Sequence, residues 1–145
     1  LDDITAVIRE RGADGVIVSN TTVSRPPQVM SKLSQTIGGL SGAPLFSLST
    51  FMLAQTAQRL EGKIPLIGVG GINSGEAALA KLRAGASLVQ LYTAMIYHGP
   101  VLASEINSFL LRYLEEHKLD SLASEIGKDI PAICAGESRF FKAKN

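Results

Sequence analysis

The chain has 145 residues, a length that suits one domain, and its 46% hydrophobic and 19% charged residues are typical of a packed globular α/β protein. The net charge of +1 argues against a nucleic-acid-binding surface and against electrostatic attachment to a membrane. The single cysteine, Cys134, excludes an intrachain disulfide and fits a reducing compartment, and the sequence has no run of 18 apolar residues that would predict a membrane span.

The first third of the chain is predicted to hold a helix, a buried strand and a long loop. Asp2 and Asp3 suit a helix N-terminus, and Gly12 suits its end. Residues 14–19 are continuously apolar in their centre, as strands of parallel sheets are. Prolines and glycines interrupt residues 22–45, and an irregular loop of that length in a compact domain is more often functional than idle.

The rest of the chain is predicted to alternate between helices and strands. The expected elements are a helix over 47–60, a strand over 66–69, a helix that Asn73 or Ser74 caps and that reaches Arg83, a strand over 87–91, a helix from Gly99 and Pro100 to about Lys118, and a short helix within 119–126. Residues 128–145 form a mixed tail without a functional interpretation.

This order of elements predicts parallel βαβ units. Three strands cannot close a barrel of eight, so the chain is either a small open α/β sheet or the second half of a (β/α)8 barrel. A start at Leu1, directly on a helix pattern, favours the second half of a barrel and a chain that belongs to something longer.

Two consecutive strand ends carry the chemistry of a phosphate site. The strand over 66–69 runs into Gly70 and Gly71, whose lack of side chains lets the backbone approach an anion at the mouth of the following helix. The next strand ends at Tyr92 and Thr93. The last two βα units of a (β/α)8 barrel bind phosphate in this way, so the sequence predicts a phosphorylated ligand.

A third polar cluster, Ser19, Asn20 and Thr21, directly follows the first predicted strand. Asn20 offers both a donor and an acceptor and is suited to the planar edge of an imide or carboxamide. The alternative is that these side chains only end the strand and satisfy hydrogen bonds of a turn. The glycine-rich residues 38–44 are by themselves weak support for a site, since a flexible turn has the same composition.

Several other polar residues are ambiguous or uninformative. Tyr92 suits stacking on a cofactor ring, but it also suits a half-buried core position. Arg25 could hold an anion or pair with a carboxylate. His98 and His117 have no potential metal ligands at suitable spacing and are expected to be surface or structural residues. No convincing general base is visible, so part of any catalytic chemistry must come from elsewhere.

Residues 14–26, 37–45, 64–71 and 84–93 resemble, in this order, the class 2 (quinone-dependent) dihydroorotate dehydrogenases, and the resemblance covers about residues 1–127. It implies the C-terminal part of a (β/α)8 TIM barrel, about its last three βα units, that binds FMN. The implied reaction is oxidation of dihydroorotate to orotate in pyrimidine synthesis, with hydride transfer to FMN and electrons passed on to a membrane quinone.

The resemblance also assigns roles to individual positions. Asn20 and Thr21 correspond to residues that hydrogen-bond orotate. The positions that correspond to cofactor-binding residues are Ser19, which is often threonine in the family, Gly42 beside the flavin, and Gly71, Tyr92 and Thr93 around the FMN phosphate. The glycine turn itself adds Gly70 to the expected cofactor-binding residues.

The same resemblance places the rest of the catalytic machinery outside this chain. The serine base, the flavin-binding lysine and several substrate asparagines belong to the first half of the barrel, so that half is an expected partner and the segment alone is predicted to be inactive. The whole enzyme is expected as a peripheral membrane protein on the cytoplasmic face of a bacterial inner membrane, or at a mitochondrial inner membrane. Residues 128–145 extend beyond the family pattern, and Phe140 and Phe141 are expected to pack back on the barrel.

Two other interpretations stay open at this point. One is a non-catalytic half-barrel that binds a phosphate ester and associates with itself through exposed strand edges. The other is a different FMN or phosphosugar barrel. The cluster Ser19–Thr21 argues against the latter, because a sugar-phosphate enzyme has no need to bind an imide there.

Overall fold

The computed structural model describes residues 1–26, 29–30 and 36–137. In these residues helices and strands alternate in the order α1 (Asp2–Arg11), β1 (Val16–Val18), α2 (Phe46–Leu60), β2 (Leu66–Val69), α3 (Gly75–Arg83), β3 (Leu88–Gln90), α4 (Thr93–His98), α5 (Val101–His117) and α6 (Ile130–Cys134). Short 3-10 helices lie at Ala43–Leu45 and Leu122–Glu125. No helix among the described residues has the length and apolar character needed to cross a membrane.

The strands form a parallel sheet in the order β1-β2-β3, which confirms the prediction of parallel βαβ units. Leu66 of β2 lies beside Val16 of β1, and Ile67 lies beside both Ile17 and Leu88. Within the described part of the chain, β1 and β3 each pair on one side only. Because all three strands are parallel, their carboxyl ends lie along the same edge of the sheet, and the predicted site residues lie at this edge.

One face of the sheet packs against helices, and α2 forms the centre of this core. Leu53 and Leu60 of α2 are fully buried against Leu66 of β2. At Gly68, an added Cβ would lie 3.1 Å from both Leu53 and Ala86, so a glycine here allows the helices to approach the sheet closely. This packing fixes α2 and α3 behind the strand ends.

The opposite face of the sheet carries an exposed apolar row. Ile17, Ile67 and Leu88 are neighbours across the three strands and point to the same side. Ile17 is 56% exposed and Leu88 is 64% exposed. In a (β/α)8 barrel this face is the packed interior, filled by layers of side chains from several strands. An exposed apolar face of this kind fits a part of such a barrel better than a small open α/β sheet.

The bounds of α1, α2, α3 and α5 agree with the predictions, whereas α6 lies in the tail for which no helix was predicted. Ser74, and not Asn73, is the N-cap of α3, where its hydroxyl accepts from the backbone N–H of Ala77. The six-residue helix α4 was not predicted. It is set apart from α5 by Gly99, whose φ of 72° ends one helix before Pro100 begins the next.

Residues after the last long helix also pack on the core. Ile133 of α6 is fully buried in the same cluster as Leu53 and Leu66. The backbone N–H of Gly127 donates to the carbonyl of Leu82, which ties the segment before α6 to α3. The described part of the tail, up to residue 137, is thus attached to the barrel segment. Phe140 and Phe141 lie outside the described residues.

Candidate functional site

A cavity of about 560 Å³ lies at the carboxyl ends of the three strands. All eight positions that the sequence singles out line it, namely Ser19, Asn20, Thr21, Gly42, Gly70, Gly71, Tyr92 and Thr93. Sequence reasoning missed further lining residues, among them Ser41, Asn73, Gln90 and Tyr97. Ligands of parallel α/β proteins bind at this end of the strands, so the cavity is the candidate site.

The end of β1 presents a polar turn. The side-chain oxygen of Asn20 accepts from the backbone N–H of Thr21 at 2.7 Å, and the hydroxyl of Ser19 lies 3.4 Å from the carbonyl oxygen of Asn20. Part of this cluster therefore does satisfy hydrogen bonds of a turn. The Asn20 amide nitrogen, with two N–H donors, is the group that this side chain can offer to a ligand.

Arg25 organises the loop that follows. Its guanidinium donates to the carbonyl oxygens of Thr36 at 3.1 Å and Gly38 at 2.8 Å, and it also reaches carbonyls of residues 22–24. The sequence predicted that Arg25 either binds an anion or pairs with a carboxylate. These bonds to the main chain are a third role, which was not predicted. The loop is closed by an antiparallel bridge between Thr22 and Leu40.

The glycine-rich segment is packed against the site. An added Cβ at Gly39 would lie 1.9 Å from the hydroxyl oxygen of Thr21, so only glycine lets the loop approach that residue. At Gly42, whose φ is +77°, an added Cβ would lie 3.3 Å from the Thr93 methyl group. These close approaches give Gly39 and Gly42 a packing role that a flexible turn alone would not require.

Gly70 and Gly71 form a turn that lies directly on the start of α2. Their φ angles are 97° and 76°, a region that side chains rarely adopt. An added Cβ at Gly70 would lie 2.9 Å from the Ser49 hydroxyl, and one at Gly71 would lie 2.6 Å from the Cα of Phe46. Both positions therefore require glycine for conformation and for space.

A buried lysine lies behind this turn. Lys81 of α3 is fully buried, and its Nζ lies 2.6 Å from the Ser49 hydroxyl and 3.3 Å from the Val69 carbonyl oxygen. The ammonium also lies 5.1 Å from the centre of the Phe46 ring. Burial lowers the pKa of Lys81 to about 7. Lys81 was not predicted as a site residue, although it is three positions from Ala78 on the buried face of α3.

The aromatic rim of the cavity is open. Tyr92 is 77% exposed and Tyr97 is 81% exposed, so the interpretation of Tyr92 as a half-buried core residue is wrong. His98 is exposed, as predicted, but it also lines the cavity. His117 stacks on Tyr113 at the surface, with ring centroids 4.0 Å apart. Among the described residues, no group of His, Cys, Asp and Glu could hold a metal ion.

Parallel strands that end in glycine turns and polar side chains around one cavity define a ligand-binding segment of a (β/α)8-barrel protein. A family model described as dihydroorotate dehydrogenase matches residues 1–114. The chain belongs to the dihydroorotate dehydrogenase family, which confirms the resemblance seen in the sequence.

Two curated relatives are named dihydroorotate dehydrogenase (quinone). The one from Rhodopseudomonas palustris is 54% identical over 138 residues, which cover 94% of this chain and 38% of the relative. The one from a Bradyrhizobium species is 52% identical and is covered to 37% of its length. This chain therefore spans less than two fifths of the length of these relatives.

Solved structures of dihydroorotate dehydrogenase from Eimeria tenella have the same fold over this segment. The complex with ferulenol superposes with a TM-score of 0.83 at 40% identity, over 88% of this chain and 34% of that protein. The ligand-free form gives the same TM-score and identity. The predicted fold class, part of a (β/α)8 barrel, is confirmed by this match.

Proposed function

We propose that the chain supplies the FMN-phosphate site and part of the substrate site of a quinone-dependent dihydroorotate dehydrogenase. Such an enzyme oxidises (S)-dihydroorotate to orotate in the synthesis of pyrimidines. The observation that carries this proposal is the convergence of all eight predicted positions on one cavity, since they come from four separate segments of the sequence. Family membership and the names of the relatives support the same reaction.

The residues of the cavity fit FMN. The volume of the cavity, about 560 Å³, lies within the range of about 300–1,000 Å³ that is usual for cofactor sites. Gly70 and Gly71, together with Thr93, would hold the phosphate by backbone N–H groups and a hydroxyl. Ser19 and Gly42 would lie beside the flavin, and the exposed ring of Tyr92 is available to border it.

Asn20 and Thr21 would bind dihydroorotate and orotate. The amide nitrogen of Asn20 is a donor suited to the carboxylate or to a ring carbonyl of orotate. The hydroxyl of Thr21 can donate to the same anion. Hydrogen bonds to a charged group are stronger than neutral ones, so these two side chains would contribute substantially to substrate affinity.

FMN, when bound, supplies the two-electron acceptor of the reaction. The residues of this chain bind and orient, and we infer that the base comes from another part of the enzyme. Of the described residues that line the cavity, His98, Tyr92 and Tyr97 are the titratable ones, and none is a carboxylate. We propose that a serine in the half of the barrel outside this chain removes the proton, as the resemblance implies.

The enzyme would pass its electrons to a membrane quinone and lie at a membrane surface. We propose the cytoplasmic face of a bacterial inner membrane, with a mitochondrial inner membrane as the alternative. The bacterial origin of the two curated relatives supports the first.

A second candidate function is a half-barrel that binds a phosphate ester and associates with itself. The apolar row of Ile17, Ile67 and Leu88, whose two outer members are exposed, favours self-association, because two such faces could cover each other. A different FMN or phosphosugar barrel has no support from the comparisons, since the family model and the relatives agree on dihydroorotate dehydrogenase.

The test uses a chimera in which this chain replaces the matching segment of 138 residues in the Rhodopseudomonas palustris relative. Native mass spectrometry is expected to show one FMN per chimera, and dihydroorotate is expected to bleach the flavin absorbance. The 145-residue chain alone serves as the comparison and is expected to be inactive. Turnover by the chain alone, or a folded chimera without FMN, would overturn the proposal.

A further inference from the structure

Lys81 is a buried cation that the proposed reaction does not use. Among the described residues it has no carboxylate partner, and its polar contacts are the Ser49 hydroxyl and the Val69 carbonyl oxygen. Burying an ammonium without an opposite charge is unfavourable, so a hydrophobic residue would serve packing alone better. The contacts of Lys81 therefore point to a role beyond packing.

Both contacts lead to the peptide groups of the glycine turn. Lys81 donates to the carbonyl of Val69 at 3.3 Å and to the hydroxyl of Ser49 at 2.6 Å. The Ser49 hydroxyl in turn lies 2.9 Å from the carbonyl oxygen of Gly70 and 3.1 Å from that of Phe46, and the Gly70 carbonyl is the nearer acceptor. The carbonyls of two successive peptide groups are thus held on the side of the turn that faces α2 and α3.

The direction of the carbonyls determines the direction of the N–H groups. The peptide bonds from Val69 to Gly70 and from Gly70 to Gly71 are trans, and in a trans peptide the C=O and N–H bonds point to opposite sides. The N–H groups of Gly70 and Gly71 therefore point away from Lys81 and Ser49. Gly70 and Gly71 themselves line the cavity.

We propose that Lys81, directly and through Ser49, is a positioning residue that orients the peptide groups of Gly70 and Gly71 for binding of the FMN phosphate. This inference rests on the proposed function. Glycine peptides are free to rotate, so without the two bonds the turn would lose this orientation in part of the molecules. In its protonated form Lys81 would also favour the phosphate dianion, because buried charges are weakly screened.

The test compares FMN with riboflavin, which is the same flavin without the phosphate. Dissociation constants of both are measured by flavin fluorescence on apo-chimera carrying wild-type Lys81, Lys81→Met or Ser49→Ala, and Lys63→Met is the control at an exposed lysine. We expect Lys81→Met to weaken FMN by at least about tenfold, the size expected from lost hydrogen bonds to a charged group. Riboflavin affinity is expected to stay within about twofold, as is FMN affinity in the control.

The outcomes separate this inference from the proposed function. A wild-type chimera that does not prefer FMN to riboflavin overturns the proposed function and this inference with it. A wild-type preference that Lys81→Met retains in full overturns the inference alone. Should Lys81→Met fail to fold, Ser49→Ala decides, because it removes only a hydroxyl. A reduced preference for FMN with unchanged riboflavin affinity supports the inference, and an unchanged preference overturns it.

Discussion

The hydroxyl oxygens of Thr93 and Ser41 lie 2.9 Å apart, within hydrogen-bond distance, although the two residues are 52 positions apart in the sequence. The bond joins the end of β3 to the glycine-rich loop that precedes α2. Gly42, next to Ser41, lies so close to Thr93 that an added Cβ would approach its methyl group to 3.3 Å. The loop and the last strand of the sheet are therefore positioned by each other, at the edge of the candidate site.

Replacing Thr93 by valine tests this connection. Thr93→Val keeps the shape of the side chain but removes the hydroxyl that bonds to Ser41 and that is proposed to reach the phosphate. In the chimera we expect FMN affinity to fall by about tenfold, equal to one or two lost hydrogen bonds. Thr93→Ser retains the hydroxyl and is expected to bind FMN within about threefold of the wild type. Equal affinities in the two variants would contradict the role of the hydroxyl.

Asn20→Ala separates substrate binding from cofactor binding. The substitution removes the amide donors proposed for orotate, so orotate is expected to bind at least about tenfold more weakly in a titration of the flavin spectrum. The FMN content of the purified chimera should stay nearly unchanged. Loss of FMN together with unchanged orotate affinity would contradict the assignment of Asn20 to the substrate.

Most of the cavity could be predicted because its residues are marked locally in the sequence. Gly70 and Gly71 follow an apolar strand, and Asn20 follows another, so the rule that parallel strands end at one edge brings them together. The role of Arg25 could not be predicted, since its carbonyl partners, 11 and 13 residues away, depend on the path of an irregular loop.

Lys81 and α6 show what sequence patterns leave out. The burial of Lys81 depends on contact with Ser49, 32 residues earlier, which no local pattern reveals. Helix α6 has five residues, too few for a periodic signal, and Ile133 is buried only because the tail returns to α2. In both cases tertiary packing, and not local propensity, decides the structure.

The depressed pKa of Lys81 predicts a pH dependence of stability. The folded protein releases this proton near pH 7, but the unfolded chain keeps it until about 10.5, the ordinary pKa of lysine. The unfolded state thus binds more protons between these values, so the free energy of unfolding rises with pH, by at most about 1.4 kcal/mol per pH unit. Urea unfolding of apo-chimera at pH 7, 8 and 9 should show wild type gaining stability relative to Lys81→Met. A constant difference between the two proteins would contradict the depressed pKa.

Glu125 predicts a change in the same direction, a loss of stability as the pH falls, but in the acid range. Burial raises its pKa, but hydrogen bonds from Lys128, Arg83 and Tyr113 outweigh burial and lower the pKa to about 2. Its contribution to stability is therefore present above the ordinary value of 4.5 and is lost as the pH falls from there toward 2. Glu125→Gln should destabilise the chimera at pH 7 by about 1.5–3 kcal/mol, as measured by urea unfolding. This difference should shrink below pH 4.5. A difference that is independent of pH would contradict the claim that these three hydrogen bonds lower the pKa of Glu125.

Two leucines with nearly equal exposure in this chain are expected to behave differently in the complete barrel. Leu88 on β3 is 64% exposed and Leu111 on α5 is 61% exposed. Leu88 belongs to the apolar row with Ile17 and Ile67, on the face that is the interior of a closed barrel, whereas α5 lies on the outside of the sheet. Leu88→Glu should therefore bury a carboxylate in the chimera and destabilise it by about 3 kcal/mol or more.

Leu111→Glu is the matched control, and it is expected to change the stability of the chimera by less than about 0.5 kcal/mol. Thermal unfolding of both variants, read by circular dichroism, measures the difference. In the chain alone neither substitution buries a charge, and Leu88→Glu should weaken any self-association by charging the exposed row. Equal stability of the two variant chimeras would mean that the row is not covered by further strands, and it would favour the self-associating half-barrel.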